Sequence, residues 1–356
     1  MNDTLFSPYV LGTHALQNHV VMAPMTRNRA TGNVPNELMT KYYSDRASAG
    51  LIITEGVAPS PNGLGYPRIP GLFNAEQVAG WRKVTSAVHA KGGKIFAQLM
   101  HTGRVGHAAN LPAGARLLAP SAIATPGEIW TDAHGQQAYP IPVEMTESDI
   151  QAAIQDFVHA SKLAIEAGFD GVEIHGANGY LVDQFLNTAS NHRKDNWGGT
   201  VENRIRFAVE VATQASKALG GNRVGIRISP YGAFNGTQAD AEMDALYLAL
   251  VQKLNPLGLA YLHVVDHSSM GAPPVKAELK AKLRSTFQGA YILSGGYDAD
   301  RATADLIEKK GDLVAFGRPF ISNPTLVEKM KSGAALAQPD FTTLYTPGEK
   351  GYTDYT

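Results

Sequence analysis

The segment His175-Gly-Ala-Asn178-Gly-Tyr180 gathers three side chains suited to work on a polarised oxygen. Imidazole and carboxamide groups both donate hydrogen bonds, and a phenol is a weak acid with a pKa of about 10. His175 and Asn178 could hold one acceptor oxygen while Tyr180 delivers a proton beside it. A lone histidine on a strand is commonly structural. Three such groups spaced by glycine at one strand end are harder to explain that way.

A second group is Gly295-Gly296 with Gly317-Arg318. Glycine lets backbone N–H groups approach an anion closely, and a helix N-terminus adds attraction. In α/β barrels the loops after strands 7 and 8 often build a phosphate site of this kind. The phosphate could belong to a sugar phosphate, pyridoxal phosphate or FMN. Tight turns with a surface arginine are the plainer reading of either loop alone. Gln98 and Arg227 stand at two further strand ends. A glutamine amide offers a donor and an acceptor side by side to an imide-like ring edge, and an arginine could stabilise charge on a reduced ring. A buried pair satisfying the barrel's own polar groups would look the same in sequence.

These positions presuppose a scaffold. Apolar, β-branched runs recur at 20–24, 51–56, 94–101, 171–176, 224–229, 261–266, 290–296 and 313–317. They are apolar at nearly every residue, as in parallel strands covered on both faces. Helical patterns separate them, most clearly at 75–91, 147–167, 201–219, 240–254, 300–310 and 322–331. Thr146 followed by Asp149 has capping-box spacing, and Gly50, Gly92, Gly168, Gly220 and Gly311 stand where helices should stop. The alternation predicts an α/β (β/α)8 TIM barrel, with a doubly wound sheet as the alternative. Residues 2–19 are expected to cap the barrel bottom. The Pro/Gly-rich stretch 102–145 is a long excursion after strand 3, of the kind that forms lids or substrate loops. No linker divides 1–356, so a single domain is expected.

The chain has 356 residues, 44% of them hydrophobic, enough to fill a barrel core, and a formal charge of −1, which gives no footprint for nucleic acid or an anionic membrane. It contains no cysteine, which excludes disulfides, thiolate zinc sites and iron–sulfur clusters. The N-terminus shows no secretory pattern and no apolar run is long enough to span a bilayer, so a cytoplasmic location is expected.

The stretch from His175 to Leu186, followed by Asn191-His-Arg-Lys-Asp195, Gly198-Gly199 and Glu202-Asn-Arg204, resembles the Old Yellow Enzyme family of FMN-dependent ene-reductases. Ala23-Pro-Met-Thr-Arg27, Gln98-Leu-Met-His-Thr-Gly-Arg104 and Gly317-Arg-Pro319 add to the resemblance, which covers essentially the whole chain and looks closest to the bacterial N-ethylmaleimide and nitrate-ester reductase branch. It implies a tight, non-covalent FMN and NADPH or NADH as reductant. Thr26 would meet the flavin near N5, Gln98 its pyrimidine edge and Arg227 the N1 region. Pro24 and Ala58 would line the ring through backbone atoms. Gly295, Gly296, Gly317 and Arg318 would hold the phosphate. His175 and Asn178 would bind the substrate oxygen, with Tyr180 as proton donor. Tyr66, Met100 and Tyr352 would shape the substrate pocket, Met100 standing where many relatives carry tryptophan. Substrates would be enones, maleimides, nitroalkenes and nitrate esters, and the protein would be a monomer or homodimer. Two rivals remain at this level. One is a metal-dependent barrel hydrolase or aldolase using Glu173, His175, His101, His263, Asp266 and His267. The other is a non-catalytic flavin-binding protein.

Overall fold

The eight apolar runs do become strands, because helices cover one side of each and the barrel interior the other. The computed structural model describes residues 4–356. Numbering the barrel strands alone, they are β1 (Val20–Met22), β2 (Leu51–Val57), β3 (Ile95–Leu99), β4 (Gly171–Gly176), β5 (Val224–Ile228), β6 (Tyr261–Val265), β7 (Ala290–Ser294) and β8 (Leu313–Phe316). They close in chain order, with β8 parallel to β1 and β3 parallel to β4. A closed circle rules out the doubly wound alternative. Between β2 and β3 the register shifts from Ile53–Phe96 to Gly56–Gln98, a bulge of one residue that re-aims the end of β2.

The helices are α1 (Glu37–Ser44), α2 (Ala75–Ala90), α3 (Glu147–Glu166), α4 (Leu181–Leu186), α5 (Val201–Leu219), α6 (Met243–Leu254), α7 (Ala277–Thr286), α8 (Ala299–Ile307), α9 (Arg318–Ser322) and α10 (Leu326–Ser332). Asn36, Asn74, Thr146, Thr200 and Asp298 cap α1, α2, α3, α5 and α8, and Thr146 with Asp149 closes the capping box. Helices α1 and α7 were not among the patterns read from sequence. Only Leu279 and Leu283 of α7 are buried, too narrow a stripe to show as a period. The helix expected at 322–331 is α10, which starts only after Pro324, whose ring and missing N–H oppose a helix running through it, and the short helices α4 and α9 were not among the expected patterns either. Gly92, Gly168 and Gly220 take positive φ at helix ends as expected, but Gly50 and Gly311 do not. Gly50 is glycine for space, since a Cβ there would lie 2.1 Å from the Asn18 carbonyl oxygen. After α8 the left-handed residue is Lys309.

A hairpin of Tyr9–Leu11 and His14–Leu16 seals the bottom, burying Leu11 and Leu16 against Val21, Leu51, Phe96 and Tyr261. Residues 2 and 3 of the expected cap lie outside the described residues. The 102–145 excursion carries its own hairpin, Glu128–Thr131 with Gly135–Ala138, and its start is tied to the loop after β5 by Arg104 donating to the Asn235 carbonyl. After α10 the chain returns over the barrel top as a strap. Arg29 donates to the carbonyls of Thr343, Leu344, Gly348 and Lys350, and Arg27 to those of Leu344 and Gly351.

Candidate active site at the C-terminal rim

The strand ends open into a cavity of about 660 Å³. Pro24 and Thr26 reach it from β1, Asn178 and Tyr180 from β4, and Arg227 from β5. Gly295 and Gly296 after β7 and Gly317 and Arg318 after β8 form another side, and the strap from Leu336 to Tyr345 borders the mouth.

Two chain features hold the glycine side open. Gly295 has φ +132° and a Cβ there would lie 2.1 Å from the Asp266 carbonyl oxygen, while Gly296 has φ +64° and would press a Cβ to 2.7 Å from Ser269 Cβ. No other residue type fits either place without strain. Arg318 begins α9, whose far end is fixed by buried Arg46 donating to the carbonyls of Phe320 and Ile321. Gly317 is different: its nearest neighbour to a Cβ is 3.7 Å away, so free space rather than backbone need distinguishes it.

The oxygen-handling group is assembled around Tyr180. The Tyr66 and Tyr180 hydroxyls are 3.1 Å apart, and the His175 ring packs edge-on to Tyr180 at 5.0 Å. Burial pushes the Tyr180 phenol up to about 12, so it stays protonated at ordinary pH. Burial, then the Arg227 charge, pulls His175 well below its usual range, so its ring is neutral. Asn178 has φ +62°, a conformation asparagine tolerates better than most residues.

Six of the expected residues do not line the cavity. Met100 and Ala58 share an apolar cluster with Tyr66 and Tyr180 packed on it, and the His175 ring meets the cavity-lining Tyr180 edge-on. Met100 folds over Gly56, where a Cβ would lie 2.4 Å from its sulfur. The Ala58 N–H already donates to Pro70, so it is not free for a ring. Gln98 is buried, and its amide donates to Glu173 at 2.8 Å. Tyr352 is a correction. It is fully buried, stacked on Tyr42 at 4.2 Å beneath Arg27 and Arg29, and cannot shape the pocket. The strap residue at the mouth is Tyr345.

The metal reading loses its ligands to other partners. Glu173 accepts from Gln98 and His263, His101 Nδ1 accepts from the Gly103 N–H, and Asp266 pairs with Lys280. Among the described residues no group of three or more His, Cys, Asp or Glu stands close enough to hold an ion.

The residues do fit a flavin phosphate. Arg227 lines the cavity, and its Nε is buried with no partner among the described residues, as expected of a group beside a polar ring. Beside it lies the glycine-lined recess for an anion. Sequence reasoning missed His267, whose Nε2 lies 2.7 Å from Asn178 Oδ1. It was weighed only as a metal ligand, and no spacing links it to a residue 89 positions away.

Comparison with known proteins agrees. The model of the NADH:flavin oxidoreductase / NADH oxidase family matches residues 4–337. 12-Oxophytodienoate reductase 7 of Oryza sativa subsp. japonica is 41% identical, over 99% of this chain and 94% of that protein. A probable flavin mononucleotide-dependent alkene reductase of Leishmania infantum is also 41% identical, over 99% and 97%. Among solved structures, morphinone reductase superposes with a TM-score of 0.95 at 42% identity, covering 100% of this chain and 96% of that one. The old yellow enzyme homologue of Zymomonas mobilis gives 0.95 at 38% identity, covering 99% of each. The chain therefore belongs to the NADH:flavin oxidoreductase / NADH oxidase family, as an old yellow enzyme homologue.

Proposed function

We propose that this protein binds FMN and uses NADH or NADPH to reduce electron-poor C=C bonds, those of enones, maleimides and nitroalkenes, with 1–356 acting as one unit. The observation that carries the reading is the protonated Tyr180 hydroxyl at the cavity beside the neutral His175 ring and the Asn178 amide. When bound, FMN would supply the hydride chemistry between nicotinamide and alkene.

The chain supplies aim, charge and a proton. Gly295, Gly296, Gly317 and Arg318 would hold the phosphate, Arg227 would offset negative charge near the ring, and Pro24 and Thr26 would line it. His175 and Asn178 donate to the carbonyl or nitro oxygen and stabilise the charge that grows there, as an oxyanion hole does. Tyr180 gives its proton to the α-carbon, and solvent restores it. Tyr66 keeps the Tyr180 hydroxyl oriented through their 3.1 Å contact. The motif stretch from His175 to Arg204 supports placing the chain near the N-ethylmaleimide and nitrate-ester reductases, with nitrate esters as further substrates. Among the described residues no helix is long and apolar enough to cross a membrane; we take the enzyme to act in the cytoplasm.

Tyr180→Phe tests the reading by anaerobic stopped flow. Bleaching of the holoenzyme by NADPH should be unchanged within about twofold, and reoxidation by cyclohexenone should slow by about 100-fold, the lower range for loss of a general acid. An oxidative half-reaction as fast as in the parent would remove Tyr180 as the proton donor.

A further inference from the structure

We propose that His267 is a positioning residue that fixes which end of the Asn178 carboxamide faces the substrate. The inference rests on the reading above that Asn178 binds the acceptor oxygen.

A carboxamide has a donor end and an acceptor end of nearly equal shape. Only the NH2 end attracts a carbonyl or nitro oxygen; the other end repels it. Something must therefore choose between the two orientations. In this structure His267 Nε2 lies 2.7 Å from Asn178 Oδ1. An amide oxygen only accepts, so Nε2 carries the proton and Asn178 Nδ2 is left over. The remaining polar groups of Asn178 are engaged: its N–H donates to Ser229 Oγ at 2.9 Å, and its carbonyl accepts from Asn235 Nδ2 at 2.8 Å. Nδ2 has no partner among the described residues, and Asn178 lines the cavity.

His267 is built to hold this geometry. It follows β6, in the short turn His267–Met270, while Asn178 follows β4, and Ser229, Phe234 and Asn235 from the loop after β5 stand between the two. Phe234 meets the imidazole edge-on at 4.6 Å, which fixes the ring plane. Burial, with the Arg227 charge second, pulls His267 down to about 4, so at neutral pH the ring has a single proton. That proton is committed to Oδ1. The resulting chain, His267 to Asn178 to substrate oxygen, also polarises each bond in the same sense.

The test reads the affinity of the oxidised holoenzyme for 4-chlorophenol, whose oxygen stands in for the substrate's, from the flavin absorbance change. His267→Phe keeps the ring packing and removes the donor, and should weaken binding about fivefold, the worth of one neutral hydrogen bond. His267→Gln, which can still donate to Oδ1, should stay within about twofold of the parent. Asn178→Ala should weaken binding at least as much as His267→Phe, and adding His267→Phe to it should change nothing further. Nitrogen-15 spectra should show the Nε2–H tautomer of His267. Additive losses in the double variant, failure of glutamine to rescue, or an Nδ1–H tautomer would overturn the inference while leaving the Asn178 reading intact. Unchanged affinity in Asn178→Ala would overturn the oxygen-binding reading itself, and the inference with it.

Discussion

Arg29→Met should open the C-terminal strap without unfolding the barrel. The buried Arg29 guanidinium touches four strap carbonyls. Two of these keep another donor in the variant: Leu344 retains Arg27 Nε, and Thr343 retains the Thr346 hydroxyl. The carbonyls of Gly348 and Lys350 lose the only donor they have among the described residues. A hydrogen bond to a charged group contributes about 1.5–3 kcal/mol, and water can replace part of it at these exposed residues. The variant also loses the guanidinium 4.9 Å above the Tyr352 ring, about 0.5–1 kcal/mol. Together these weaken local closure by about 3 kcal/mol, on the order of a hundredfold in the open population. Trypsin provides the assay, because the Lys350–Gly351 bond lies inside the strap. Cleavage there should accelerate by on the order of a hundredfold when opening is fast relative to cutting, while the barrel's melting temperature changes little. Binding of phenols should weaken as well, since Leu344 and Tyr345 border the cavity. A cleavage rate within threefold of the parent would show that the strap is held by something other than the guanidinium.

Two further outcomes follow from buried groups near the cleft. Burial raises the Glu55 carboxyl from 4.5 to about 7 and Asp183 from 3.8 to about 6. Each binds its proton more tightly folded than unfolded, so its contribution is fully present below the ordinary carboxylate pKa and is lost as pH rises through the folded value. Thermal stability should fall between pH 5 and pH 8, with Glu55 accounting for roughly 3 kcal/mol at most; Glu55→Gln should flatten that fall, and a parallel pH curve would refute the assignment. Gly295→Ala should lower both stability and FMN retention, because its Cβ meets the Asp266 carbonyl. Gly317→Ala, with room for a methyl, should weaken FMN binding with little change in the apoprotein's melting temperature; equal stability losses in the two would contradict the space argument.

The barrel was legible because its strands are buried on both faces, which leaves runs such as Leu51-Ile-Ile53 that few other elements produce. The rim was legible where backbone need selects the residue type, as at Gly295 and Gly296. It was less so where a side chain's partner decides its role. Gln98 has the chemistry to read a ring edge, yet its amide donates to Glu173, and nothing in the spacing of β3 and β4 announces that. The strap was illegible. It has no helical or strand period, and its place is set by Arg27 and Arg29, more than 300 positions earlier. Tyr352 was misplaced for that reason: its packing partners, Tyr42 and the two arginines, belong to the other end of the sequence.

That strap gives the cleft a different birthday from the barrel. The last barrel strand ends at Phe316, so the closed sheet needs nothing beyond it. The acceptors for Arg27 and Arg29 lie at Thr343 to Gly351 and leave the ribosome after every barrel strand. A nascent chain can therefore close its sheet while its cavity still lacks the wall from Leu336 to Tyr345. During that interval the opening is wider than in the finished protein, and two guanidinium groups lack the carbonyls that later surround them. A substitution in the strap would act on this late step, altering how the cavity is sealed before it altered whether the barrel forms.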